Sequence, residues 1–333
     1  MSILQQANSS DRKRIAILRA LPMEELLCIV PALRALRAAL PKAQITLVGL
    51  PECTAFVERF PTYLDDFIAF PGFPGFPDQT PNIAEFPFFL VEMQNLNFDF
   101  AIQMQGPDCS ANSIISLWGA KSCAGFYVRG GYCPDETQFL EYPEHESEIW
   151  RHLRLMEFLD IPPQGDEPEF TLYDEDWKSL SQLQKDYDFQ KNYVCIHPSC
   201  RPAQYFADIA DGLAARGYQV ILIGSHAEAH LTNEVAQHIQ AQAINLAGKT
   251  RLGSLGALIS QAALLVSHDT GISLIAAALK VPSVILYSES ESFAWESQNK
   301  NLHKFVQQAP QVSAVEVLTQ AESHLKELGT YAY

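Results

Sequence analysis

Apolar residues along this chain gather into short, nearly unbroken runs separated by stretches with helical spacing. "RIAILRA" (14–20), "QITLVGL" (44–50), "LDDFIAF" (64–70), "DFAIQMQG" (99–106) and "SCAGFYV" (122–128) read as strands. Runs this apolar predict strands covered on both faces, as in a parallel sheet. The intervening stretches at about 24–40, 53–60, 86–97 and 110–119 read as helices. One exception is "PGFPGFPDQTPNIAEFP", whose prolines and glycines forbid regular structure and whose phenylalanines predict a packed loop. A helix over 144–159 places Ile149, Leu153, Met156 and Leu159 on one face, and "DIPPQGDEPEF" (160–170) then breaks the pattern.

A second series of the same kind follows. Strands are predicted at 193–199, 219–225, 243–248, 263–269 and 283–288, with helices at 202–215, 227–241, 252–261 and 272–280. Strands alternating with helices imply βαβ units. The expected architecture is therefore α/β, with two successive doubly wound domains at 1–165 and 166–333. The last helix is free to pack back on the first domain. Ligands in such folds bind outside the carboxyl ends of the strands, here in a cleft between the halves.

Composition narrows the function classes. A chain of 333 residues with 47% hydrophobic content is too long for one ordinary core and too apolar for disorder. No run of about eighteen apolar residues predicts a membrane span. The opening "MSILQQANSSDRKRIAILRALPMEELL" lacks the apolar core of a secretory signal, so a cytoplasmic protein is expected. The seven cysteines include no C-x-x-C pair and read as free thiols. A net charge of −16 disfavours nucleic acid and anionic membrane as partners, the Arg12-Lys13-Arg14 cluster notwithstanding.

Polar residues at the strand ends are the candidates for chemistry: Glu24 and Glu25, Gln103 to Asp108, His197 to Arg201, Gly224 to Glu228, Lys249 and Thr250, and His268 to Gly271. Asp269-Thr270-Gly271 fits two roles. It either caps the following helix or leaves the helix N-terminus open to a phosphate. Arg201, just before Pro202 at a helix start, is either a surface cation or a second donor to that anion. Glu228 either complements a helix dipole or accepts hydrogen bonds from a ribose diol. Glu25 is either a helix-start acid or a general base. His197 and His268 lack metal-ligand spacing, and no G-x-G-x-x-G, P-loop or G-x-S-x-G occurs.

Taken together, the segments resemble glycosyltransferase family 9, the lipopolysaccharide heptosyltransferases and their relatives. The resemblance rests on "ILRALPMEELLCIVPALRALRAALPKAQITLVG", on "FDFAIQMQG…LWGAKSCAGF", on "WRHLRLMEFLDIP" and above all on "LAGKTRLGSLGALISQAALLVSHDTGISLIAAALKVPSVILY". It implies a GT-B fold, two Rossmann-like domains facing across a cleft. It further implies inverting, metal-independent transfer from a nucleotide-diphosphate sugar such as ADP-heptose, with no cofactor. The acceptor would be a saccharide or lipid-linked saccharide, compatible with peripheral contact at the inner membrane surface. By the same resemblance Asp269, Thr270 and Gly271 hold the diphosphate, Ser199 and Arg201 lie in the loop beside it, Glu228 takes the ribose, Thr250 lies near the base, and Glu25 falls at the catalytic aspartate.

Departures from the family pattern are concentrated in the loops. Leu21-Pro22-Met23-Glu24-Glu25 stands where relatives carry a glycine-rich turn ending Gly-Asp. "HPSCRP" is shortened and leaves Arg201 as the nearby cation, Leu274 stands where some relatives have histidine, and "YSESES" (287–292) adds Glu289 and Glu291. These changes keep two further readings open beside the transferase. One is a catalytically degenerate nucleotide- or glycan-binding relative in a polysaccharide assembly system. The other is an epimerase acting on nucleotide sugar alone.

Overall fold

The computed structural model describes residues 12–76, 80–107, 109–189, 192–198, 201–287, 301–307 and 312–327. The chain divides after Glu167 into two compact units. In the first, β1 (Arg14–Leu18), β2 (Gln44–Gly49), β3 (Asp66–Ala69), β4 (Phe100–Gln103), β5 (Ser122–Tyr127) and β6 (Phe139–Glu141) alternate with helices. These are α1 (Val30–Ala39), α2 (Thr54–Arg59), α3 (Phe86–Asn95), α4 (Cys109–Ser116) and α5 (Glu148–Phe158). Among the described residues of the second unit, α6 (Asp174–Tyr187) precedes β7 (Tyr193–Ile196), α7 (Ala203–Ala214), β8 (Gln219–Leu222), α8 (Ala229–His238) and β9 (Ala243–Asn245). Then come α9 (Leu252–Ser260), β10 (Leu264–His268), α10 (Gly271–Ala278), β11 (Ser283–Tyr287), β12 (His303–Gln307) and α11 (Ala314–Glu327).

Each unit carries one six-stranded parallel sheet, ordered β3-β2-β1-β4-β5-β6 in the first and β12-β11-β10-β7-β8-β9 in the second. Counted from its own first strand, each sheet has the 3-2-1-4-5-6 order of a Rossmann fold. The order reverses between β1 and β4 in one unit and between β7 and β10 in the other. Central strands are buried throughout. Ile15, Ala16, Ile17 and Leu18 of β1 and Leu264, Leu265 and Val266 of β10 have no exposed surface.

Four features differ from the pattern in the sequence. The helix expected over 24–40 begins only at Val30, and Met23–Ile29 winds as a 3₁₀ turn. Pro31 has no N–H to give to Leu27, so an α-helix cannot run through it. Helix α6 lies outside the predicted elements: Trp177, Leu180, Leu183 and Tyr187 recur at helical spacing, but Leu180 is its one buried hydrophobic residue. Its start is fixed by Asp176, whose carboxylate accepts the Tyr173 N–H at 2.9 Å. Strands β6 and β12 also lie outside the predicted elements. Helix α11 also lies outside the predicted elements, and its Val317, Ala321 and Leu325 join the core of its own unit around Val194 and Val220. An amphipathic last helix finds the nearest apolar surface that covers its stripe.

Gly125 of β5 sits against β4 so closely that a Cβ there would lie 2.7 Å from Gln103 Cβ and 2.9 Å from its carbonyl oxygen. Neither atom is the end of a flexible side chain. Gly125→Ala is expected to destabilise the first unit by about 2 kcal/mol through overpacking. Urea unfolding followed by tryptophan fluorescence checks this.

Candidate functional site

The polar loops at the β7–β10 switch point converge in the second unit. His197, directly after β7, donates its backbone N–H to Val266 of β10 at 2.9 Å. Its ring is buried. Nδ1 lies 3.2 Å from Ser267 Oγ, and Nε2 lies 3.2 Å from Glu228 Oε1. The other Glu228 oxygen accepts the Ser225 N–H at 2.7 Å, while Ser225 Oγ accepts the Glu228 N–H at 3.3 Å. Glu228 thus does more than complement the dipole of α8: its carboxylate turns toward His197 and closes the loop that follows β8. The hydrogen bond from His197, helped by that from Ser225, outweighs burial and holds the Glu228 carboxyl down at about 2.

A second loop is drawn onto this one. Gly248 donates its N–H to the Gly224 carbonyl at 3.0 Å. Its φ is +71°, and a Cβ there would stand 3.1 Å from His226 Cα, so only glycine suits the position. Half-buried Thr250 follows in the same loop, just before α9. The neighbouring Lys249 is turned away to the Tyr187 ring at 4.8 Å and to the Asn245 carbonyl.

At the end of β10, Thr270 precedes α10 with extended backbone and makes no side-chain cap. Its Oγ1 is buried and without a hydrogen-bond partner. Ser273 Oγ is 2.6 Å from the Thr270 carbonyl and 3.3 Å from Asp269 Oδ1. The cap alternative therefore fails for Thr270, at a helix end whose dipole favours an anion. Gly271 is buried at the head of that helix. Arg201, half-buried just before α7, holds its guanidinium 5.3 Å from the centre of the Tyr205 ring. Ser199, Glu289 and Glu291 lie outside the described residues.

In the first unit Glu25 is exposed in the 3₁₀ turn that follows β1. Its carbonyl accepts a bond from Arg19 at 3.2 Å. Arg19 is fully buried and also donates to the Met104 carbonyl at 2.6 Å and to Glu148 Oε1 at 3.1 Å. Glu148 is shared with His152 at 3.2 Å and Arg151 at 2.8 Å. Burial raises the Glu148 carboxyl, yet the hydrogen bond from His152 and the neighbouring arginines outweigh it and hold the group well below its usual range. Burial, with Arg19 adding to it, pushes His152 down to about 4.

This network was missed in the sequence. Its signal was present: Arg19 interrupts an apolar run, and a buried charge needs a partner. Glu148 and His152 are four residues apart on α5. The strand-end glutamines proved structural, since Gln103 serves Gly106, Asn112 and Gln105. Gln105 clasps Ala20 through both its N–H and its carbonyl.

Two units, each with the 3-2-1-4-5-6 strand order, define an α/β protein of the GT-B type. The sequence profile of glycosyltransferase family 9 (heptosyltransferase) matches residues 90–323, and the chain belongs to that family. It is 30% identical over 166 residues to lipopolysaccharide heptosyltransferase 3 of Escherichia coli K12, covering 47% of this chain and 48% of that protein. The chain spans about half or less of the length of most curated relatives it matches. Its fold is that of a family 9 glycosyl transferase from Veillonella parvula, with a TM-score of 0.79 at 19% identity over 96% of this chain and 99% of that one. It also matches the E. coli ADP-heptose LPS heptosyltransferase II, at 0.74 and 20% over 95% and 99%.

The Arg19 network yields a signed pH prediction. Glu148→Gln leaves the buried guanidinium without its anion and is expected to cost about 3 kcal/mol at pH 7. Because the folded carboxyl is depressed, its stabilisation is complete above its ordinary value near 4.5 and is lost as pH falls below it. Denaturant unfolding of both proteins should show the gap narrowing from pH 7 toward pH 3.

Proposed function

We propose that this chain is a glycosyltransferase that moves a heptose-like sugar from a nucleotide-diphosphate donor to a saccharide or lipid-linked saccharide acceptor. The observation that carries the reading is the start of α10, where buried Thr270 Oγ1 makes no cap and has no hydrogen-bond partner, in the same unit as the His197–Glu228 pair. ADP is the favoured donor nucleotide, since the similar E. coli heptosyltransferase II is named for ADP-heptose. The first-turn N–H groups of α10, Thr270 and Arg201 hold and stabilise the departing diphosphate, electrostatic preorganisation that calls on no cation. Asp269 braces the turn through Ser273. Glu228 receives the ribose, Thr250 lies near the base, and Ser199 is assigned to the donor by its position in the sequence alone.

Glu25 acts as general base. It removes the proton of the acceptor hydroxyl as that oxygen attacks the anomeric carbon, and the sugar inverts. Glutamate at this place is one methylene longer than aspartate, and about 1 Å of misplacement can cost two orders of magnitude in rate. The fixed backbone of its turn, held by Arg19, compensates by limiting where the side chain begins. A lipid-linked acceptor would bring the protein to the inner membrane surface. The turn's lack of glycine favours a second reading, a nucleotide- or glycan-binding relative without turnover.

Calorimetric titration with ADP, UDP and GDP tests the donor site. Saturable binding of ADP is expected, weakened about tenfold by Thr270→Ala and by Arg201→Ala, the worth of one good bond to a charged group. No binding by any nucleotide to folded protein, or binding indifferent to both substitutions, overturns the site.

A further inference from the structure

We propose that His197 is a positioning residue that sets Glu228 to discriminate ribose from deoxyribose. The inference rests on the reading of Glu228 as the ribose-binding acid. It assigns to His197 a role that neither metal binding nor proton transfer supplies.

The geometry is a chain of fixed bonds. Each Glu228 oxygen already accepts one bond, Oε1 from His197 and Oε2 from the Ser225 N–H. These two bonds fix both the plane and the rotation of the carboxylate. A carboxylate oxygen accepts two bonds, so one lone pair on each remains. The Glu228 side chain retains 36% of its exposure, so those lone pairs can face a ligand diol.

His197 can hold this position because it is itself held at both ends. Ser267 Oγ lies 2.9 Å from the His268 carbonyl and 3.2 Å from His197 Nδ1, so its hydroxyl can turn its hydrogen to Nδ1 and leave the ring N–H at Nε2 for Glu228. The His197 backbone is pinned to Val266. An anchor on β10 therefore reaches through the ring to a carboxylate that follows β8. Without the ring, Oε1 loses its inner donor, and Glu228 can rotate about the Ser225 bond and spread over several poses. A ligand must then select one, and the bond to a ribose hydroxyl weakens. Diphosphate binding at α10 does not pass through this chain of bonds.

The test is calorimetric binding of ADP and 2′-deoxy-ADP to the full chain, reading the ratio of their dissociation constants. Wild type is expected to favour ADP by about tenfold or more, the loss that follows when a charged acceptor is left without its donor. His197→Asn keeps an amide near Nδ1 but withdraws the donor from Glu228, and the ratio should fall to within about threefold while ADP still binds. His197→Gln places its amide near Nε2 and should restore most of the discrimination. Ser267→Ala, which frees the far end of the ring, should lower the ratio part way and serves if the Asn variant does not fold.

An unchanged ratio in the Asn and Ala variants overturns the positioning role. A ratio equally collapsed in Asn and Gln variants overturns it too, since only packing would then matter. Wild-type ADP binding without 2′-hydroxyl discrimination removes Glu228 from the ribose and His197 with it. Absence of ADP binding in folded wild type defeats the donor-site reading itself, a result distinct from each of these.

Discussion

The parallel pairing of β7 with β10 is the constraint on which the candidate site depends. Val194, Cys195 and Ile196 lie in register with Leu264, Leu265 and Val266, residues about seventy positions away. Because the strands run the same way, both release their polar ends on one side. His197 leaves β7 beside Ser267, and Asp269-Thr270 leave β10 at the head of α10. The 3-2-1-4-5-6 order opens the space between these loops, since the following connections depart to opposite sides of the sheet. Ligand chemistry can gather there because backbone geometry has already done the assembling.

The two units treat buried charge differently at equivalent places. In the first, Arg19 follows β1 and is satisfied by two carbonyls and a carboxylate, so its charge is used within the protein. In the second, the position after β7 is a histidine whose partner Glu228 keeps an exposed side. Closed pairing favours rigidity of a turn, and open pairing favours recognition. The first arrangement holds the backbone carbonyl of Glu25, and the second leaves part of the Glu228 carboxylate at the surface.

Much of the fold was legible in the sequence because parallel strands buried on both faces leave nearly continuous apolar runs. β1, β2, β10 and β11 show this, and "GISLIAAA" shows the buried, small-residue helix that follows β10. Helix α6 was missed although Trp177, Leu180, Leu183 and Tyr187 recur at helical spacing, because that stripe is thin among charged and polar residues. The 3₁₀ turn at Met23–Ile29 was, in principle, marked by Pro31. The site was legible as a set of strand ends but not as a set of bonds. Periodicity places Glu228 and His197 at neighbouring strand ends, yet says nothing of which oxygen each nitrogen meets. The same holds for Thr270: its residue type and extended backbone both suit a cap, and only its unpartnered Oγ1 shows that it makes none.

The central claim, that the open start of α10 receives a diphosphate, is tested most directly by amide NMR during titration with ADP and, separately, with adenosine. ADP should shift the backbone resonances of Gly271 and Ile272 strongly. Adenosine, which lacks phosphate, should leave those two unmoved. Equal shifts with both ligands, or ADP shifts that spare the first turn of α10, would contradict the account.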